Sequence, residues 1–225
     1  MTNILEIFRS IESAKVIAPK IDYIDYIQLD LSVSNLELHN HKLETASDYE
    51  IFIQKYLDKN KGKIAFGGYI ETRNLYKRST VFKNEITAER NIHIGLDLWI
   101  NEAASVHAAL DGKIHSFQNN IALGDYGPTI ILEHEINGFV FHTLYGHLSE
   151  ASLTDKKVVE AVTKGSQIGK LGLPPINGDY APHLHFQIII DIEEKTGDYP
   201  GVCSENKLEF YKKNCPNPNL LLKIN

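Results

Sequence analysis

Histidines and one aspartate fall into three short segments whose spacing suits metal chemistry. The first is His93-Ile94-Gly95-Leu96-Asp97. Residues four apart share a face on a strand or on a helix, so this imidazole and carboxylate can converge on one ion. The second is His183-Leu184-His185-Phe186, which puts two histidines on one face of an apolar run and turns Leu184 and Phe186 to the core. The third is Tyr145-Gly146-His147-Leu148, at the end of a predicted strand. His93, Asp97 and one histidine of the pair make three ligands, and imidazole with carboxylate is ordinary zinc ligation. Three protein ligands leave a fourth position for water, whose pKa zinc lowers to about 7. Two further histidines remain to move protons or to stabilise a developing oxyanion. The chemistry implied is hydrolysis. Two histidines and a carboxylate also describe the facial triad of non-haem iron oxygenases, but the spare histidines favour hydrolysis.

Such residues converge only if strands hold them. Short runs rich in Val, Ile, Phe and His predict strands at 92–100, 105–117, 129–135, 139–147, 167–171 and 184–191. Asn137-Gly138 between two of these runs is a strong hairpin signal, and Asp111-Gly112 is a second turn signal. Hairpins this close together imply an antiparallel sheet. Before residue 75 the texture is mixed. Ser47-Asp48-Tyr49-Glu50 has the form of a capping box, and Tyr49, Phe52, Ile53 and Tyr56 follow at helical spacing. The spacing predicts a helix to about Lys59, ended at Lys61-Gly62-Lys63, and a shorter helix around Ile4 to Ser13. Gly67-Gly68 marks a turn. The reading is a mainly β fold divided into residues 1–85, a mixed helical and strand extension; 86–195, the β domain with the candidate site; and 196–225, a tail packing on the core.

Composition removes some alternatives. The 225 residues are 43% hydrophobic and 23% charged, enough for a sizeable core. A net charge of −6 argues against a general nucleic-acid binder, which would carry a basic stripe. No apolar run approaches the roughly 20 residues of a membrane span. The start, MTNILEIFRSIESAK, has no apolar core of a leader, so the expected location is cytoplasmic, or exported if a leader has been removed. In a cytosolic chain Cys203 and Cys215 would stay reduced.

The ordered segments H-x-G-x-D, Y-G-H-L and P-H-L-H-F resemble the lysostaphin-type zinc endopeptidases. Here they read His93-x-Gly95-x-Asp97, Tyr145-Gly146-His147-Leu148 and Pro182-His183-Leu184-His185-Phe186. Ser105 to Ile114 and Lys164 to Gly169 look like that family's intervening strands, so the resemblance covers roughly residues 90–191. It implies a duplicated-hybrid-motif β core with a zinc site in a groove across an antiparallel sheet. It further implies that His93, Asp97 and His185 bind zinc, and that His147 and His183 activate water and stabilise the tetrahedral intermediate. The implied substrate is a peptide or a peptidoglycan-like molecule. The stretch from Gly68 to Tyr76, with Glu89-Arg90, looks similar to an intracellular branch of the same fold, for which the chemistry persists and peptidoglycan is not assumed as the substrate. A binding or regulatory domain on the same fold is the alternative; such proteins usually lose a ligand, and every one is kept here.

Other histidines read as structural. His39 and His41 lie in a polar stretch without a partner carboxylate, and His107, His115, His134 and His142 fall on predicted strands, where one could orient a ligand. Trp99 reads as core or groove wall, and Arg90 as an ion-pair partner or a contact for a substrate carboxylate. The loop from Leu173 to Tyr180 is expected to wall the groove.

Overall fold

Residues 4–75 and 89–224 are described in the structure, a computed structural model. Tyr76 and the expected boundary at 85/86 lie outside the described residues. The N-terminal part supplies β1 (Tyr26–Gln28), β2 (Ile64–Gly67) and β3 (Glu71–Thr72). Then come β4 (Ile92–His93), β5 (Leu96–Trp99), β6 (Ser105–His107), β7 (Gly112–Asn120), β8 (Gly127–Ile136) and β9 (Phe139–Gly146). The short β10 (Ala161–Val162) precedes β11 (Gln167–Lys170), β12 (His183–Ile189) and β13 (Val202–Cys203). Eight of them form one sheet in the order β1-β2-β5-β12-β9-β8-β7-β10. Every pairing in it is antiparallel except the edge pair β1 and β2. The fold is thus mainly β on a large antiparallel sheet, as expected.

Alternation along the central strands separates two faces. Leu96 and Leu98 of β5, Leu184, Phe186 and Ile188 of β12, Phe141 and Tyr145 of β9, and Ile130 and Leu132 of β8 join one large apolar cluster. The residues between them point to the other side: Asp97, His183, His185, Gln187 and Gly146. That second face packs Ile131, Leu144 and Ile189 under Tyr199, Cys203 and Cys215 from the C-terminal part. Both thiols are free and buried. The hairpin between β8 and β9 turns at Asn137 and Gly138, both at positive φ (54° and 79°), the backbone that the Asn-Gly signal requires.

Several predicted boundaries shift. The run 92–100 is two strands in different sheets: β4 pairs with β3 and β13, while β5 joins the main sheet. The run 105–117 also splits, β6 pairing with β11 while β7 joins the main sheet. In both cases the apolar run continues through the break because both sides are buried. The first helix, α1 (Ile4–Ser10), stops short of Ser13. The second, α2 (Ala46–Asn60), starts one residue before the expected box, and its cap lies two residues before it. Thr45 is its cap: the Thr45 hydroxyl accepts from the Asp48 amide, and the Asp48 carboxylate accepts from the Thr45 amide. A threonine with an aspartate thus does the work assigned to Ser47 and Glu50. Phe52, Ile53 and Leu57 of α2 pack on Leu29, Leu31, Ala65 and Trp99. Two short helices, α3 (Leu208–Asn214) and α4 (Asn219–Leu222), end the chain. Among the described residues no helix is long and apolar enough to cross a membrane.

His134 lies on the first face, 1% exposed. Its Nδ1 donates to the Asp111 carbonyl (2.8 Å) and its Nε2 is 2.7 Å from Thr143 Oγ1. Burial pushes its pKa down to about 4. Above pH 6.5 the ring is neutral folded or unfolded, and stability does not depend on it. Below 6.5 the unfolded chain takes up a proton that the folded ring refuses, so folding stability falls until about pH 4. The loss from this residue is about 3 kcal/mol at ~1.4 kcal/mol per pH unit. Urea unfolding of the protein and of His134→Gln between pH 7 and 4 should show the variant with the flatter profile; parallel profiles would refute the assignment.

Candidate metal centre

His93 and Asp97 converge, although not by strand alternation. The chain bends at Ile94-Gly95 between β4 and β5, and the bend brings both side chains to one point. Gly95 has no room for more: a Cβ there would lie 2.3 Å from His185 Cε1. His185 reaches the point from β12, where it pairs with Asp97 on β5 and Gly146 on β9. The three donors form a small triangle. His93 Nε2 is 2.9 Å from His185 Nδ1 and 3.2 Å from Asp97 Oδ1, and His185 Nδ1 is 3.1 Å from the same oxygen. All three residues are 2% exposed.

Hydrogen bonds behind the triangle fix which nitrogens are basic. His93 Nδ1 donates to the Gly68 carbonyl at 2.8 Å, so its Nε2 carries the lone pair. His185 Nε2 donates to Gln187 Oε1 at 2.9 Å, so its Nδ1 carries the lone pair. The Gln187 amide nitrogen in turn donates to the Pro200 carbonyl and to Cys215 Sγ, which holds its oxygen toward His185. Asp97 Oδ2 accepts from Arg73 Nη1 at 2.6 Å. Burial alone would favour the neutral acid, but His93 and Arg73 hold the Asp97 carboxyl well below the usual carboxylate range. Burial pushes His93 down to about 4 against the pull of Asp97, so the ring is neutral at pH 7. His93 Nε2, His185 Nδ1 and the ionised Asp97 Oδ1 therefore face one another at one point. Tetrahedral ligands at about 2.0–2.1 Å from zinc stand roughly 3.3 Å apart, close to the spacing found, so the donor set fits such a cation.

His147 and His183 stand beside the triangle, their ring centroids 4.2 Å apart. His147 follows β9 directly at φ 62°. Its Nδ1 donates to the Asn177 carbonyl at 2.8 Å. His183 Nδ1 donates to the Ala181 carbonyl at 2.7 Å, its ring stacks on Trp99, and its Nε2 is 3.8 Å from Asp97 Oδ1. Each ring thus keeps Nε2 as a base. Burial first, then the neighbouring His183 and His185, hold the His147 pKa well below the ordinary range; burial also lowers His183. All five predicted residues line one groove of about 740 Å³, its open mouth included.

The walls of the groove were less legible in the sequence. The loop 173–180 does contribute: Tyr180 lines the groove, and Asn177 orients His147. Arg90 lines it too, with Nε donating to the Val202 carbonyl. Sequence reasoning gave no role to Arg73, Tyr126 or Gln187. Gln187 was findable, since His183, His185 and Gln187 alternate along one strand face. Arg73 lay inside the quoted stretch from Gly68, but nothing in its spacing indicated Asp97. Tyr126, whose hydroxyl is 3.4 Å from His185 Nε2, carried no signal.

Residues 91–197 match the family model for peptidase family M23. Among solved structures, the chain is similar to the antimicrobial peptidase lysostaphin from Staphylococcus simulans: 28% identity over 54% of this chain and 45% of that one, TM-score 0.36. It is similar to the catalytic domain of the same protein crystallised without phosphate: 24% identity over 75% of this chain and 99% of that one, TM-score 0.40. It is also similar to a mutant catalytic domain of the prophage-encoded M23 protein EnpA from Enterococcus faecalis: 18% identity over 53% and 87%, TM-score 0.38. The chain spans less than half the length of the lysostaphin chain it matches. No curated protein sequence matches it.

Proposed function

We propose, from the match of residues 91–197 to the family model for peptidase family M23, that the chain is a zinc-dependent hydrolase of peptide or amide bonds, with a peptide or peptidoglycan-like substrate. The observation that carries this reading is the close triangle of His93 Nε2, Asp97 Oδ1 and His185 Nδ1, flanked by His147 and His183. On this reading residues 86–195 carry the reaction. The flanking parts prop it: Gly68 and Arg73 hold His93 and Asp97 from one side, and Cys215 steadies Gln187 from the other.

Zinc held by His93, Asp97 and His185 would supply Lewis acidity to the scissile carbonyl and the attacking water. The chain's own residues do the rest. His147 and His183 are neutral at pH 7, so each can take a proton at Nε2 from the attacking water. The same ring, once protonated, can hand that proton to the leaving nitrogen or donate a hydrogen bond to the developing oxyanion. The carbonyls of Asn177 and Ala181 accept from the Nδ1 protons and keep each ring in the tautomer this needs. Tyr126 and Tyr180 pack against the rings and limit their rotation.

Elemental analysis of the purified protein beside His185→Ala tests the reading. About one zinc at this triangle in the parent and none there in the variant is expected, with peptide-library hydrolysis only in the parent. A parent that takes up no zinc at this site even when supplied would overturn it.

A further inference from the structure

A second group of metal-competent side chains sits on the same sheet face, away from the groove. It consists of His115 on β7, Glu133 on β8 and His142 on β9, whose candidate donor atoms all lie within 4.8 Å of one another. Three adjacent strands supply one residue each. Glu133 and His142 are direct cross-strand partners. His142 also pairs with Ile189, four residues along β12 from His185, or about 13 Å at ~3.3 Å per residue.

Alternation along β7 from Lys113, the cross-strand partner of Glu133, puts His115 on this face. Ile114 pairs with Leu132 and Ser116 with Ile131, so His115 is the extra residue of a β-bulge. The bulge interrupts the ladder beside it, and the His115 ring stands 4.8 Å from the His142 ring, edge to face. His115 Nδ1 is 2.8 Å from Ser116 Oγ, which leaves its Nε2 for another partner. His142 Nδ1 faces the Ile189 backbone without a well-formed hydrogen bond, while its Nε2 stands 3.9 Å from Glu133 Oε2. That gap is too long for a hydrogen bond, yet the His142 side chain is only 7% exposed. Glu133 Oε1 is taken by Lys113 Nζ at 2.8 Å, so one carboxylate oxygen is left for the histidines.

We propose that His115, Glu133 and His142 form a second divalent transition-metal site, a clip across β7, β8 and β9 separate from the groove. Two imidazoles and one carboxylate oxygen are ligands that zinc accepts, with water completing the shell. The two half-buried side chains, His115 and Glu133, can close the remaining distance, while buried His142 gives a fixed point. Charge states suit binding: Lys113 holds the Glu133 carboxyl below its usual range, and burial with the nearby His115 pushes His142 down to about 4. The carboxylate is therefore ionised and the buried imidazole neutral at pH 7. Occupancy would tie together the strands that lead to Gly146 and His147.

The test is zinc stoichiometry by calorimetric titration of chelator-treated protein, and it does not depend on the function proposed above. His185→Ala removes a ligand of the first site, and should still bind about one zinc per chain with a zinc-dependent rise in its thermal midpoint. Adding Glu133→Gln, a change at a half-exposed side chain of the same shape, should abolish that binding and that rise. His115→Asn in the same background should do likewise, and circular dichroism would confirm that each variant is folded. His185→Ala that binds no zinc, or a double variant that still binds one, would overturn the proposal.

Discussion

Replacing His147 by alanine should leave about one zinc at the His93–Asp97–His185 site and lower turnover by two to four orders of magnitude, the usual worth of a general acid–base group. The expectation follows from where the ring stands. It contacts none of the three candidate ligand atoms closely, yet its centroid is 6.3 Å from that of His185 and 4.2 Å from that of His183. Removing it takes away a base and leaves the triangle in place. His183→Ala should act in the same direction. It also frees one face of Trp99 and exposes Asp97 Oδ1, so a modest fall in zinc affinity is expected with it. If the two rings serve one proton path, the double variant will be little worse than the worse single variant, because groups acting as a unit are not additive. Activity and zinc content must be read together. Full activity in both single variants would remove the assigned roles. Loss of zinc in His147→Ala would make that residue a ligand rather than a base.

The convergence of His93, Asp97, His147, His183 and His185 on one groove was legible in the sequence, while the strands that hold them were less so. Metal ligation restricts residue types narrowly enough that spacing pointed to His93, Asp97 and one histidine of the 183/185 pair; the choice of His185 came from the family resemblance. The shared strand or helix face expected to join His93 to Asp97 is not what joins them. They do not share a strand face; they meet across a bend that Gly95 permits, because only a residue without Cβ leaves room for the His185 ring. Apolar runs such as 92–100 and 105–117 hid their breaks, since a chain buried on both sides of a turn shows no change in hydrophobicity. The supports were harder still. Gly68 acts through its carbonyl, which no side-chain pattern reveals, and Arg73 reaches Asp97 across 24 positions of sequence. The bulge at His115 shifts the register of β7 against β8 by one residue, and such a shift leaves no mark in composition.

Arg73→Met should destabilise the metal-free protein by about 3–5 kcal/mol, the cost of leaving buried ionic partners uncompensated. Arg73 is 2% exposed, and its guanidinium binds Asp97 Oδ2 at 2.6 Å and Glu71 Oε2 at 2.5 Å while lying 5.5 Å from the Trp99 ring centroid. Methionine can fill much of the volume but answers neither carboxylate. Lysine is no substitute either: a single ammonium cannot span two carboxylates as a planar fork does, so Arg73→Lys should fall between parent and Arg73→Met. Zinc distinguishes this account from one of lost packing. A cation at the triangle would neutralise Asp97 from its other oxygen, and zinc at about 1,000 times its dissociation constant adds roughly 4 kcal/mol to whichever state binds it. With one of its two carboxylates answered, Arg73→Met should gain more from zinc than the parent does. Urea unfolding with and without zinc measures both numbers. A variant within about 1 kcal/mol of the parent in the absence of metal would show that the ion pairs contribute little. Equal gains from zinc in the two proteins would show that Arg73 supports the fold without tuning the site, and the N-terminal segment would then be a brace rather than part of the metal centre.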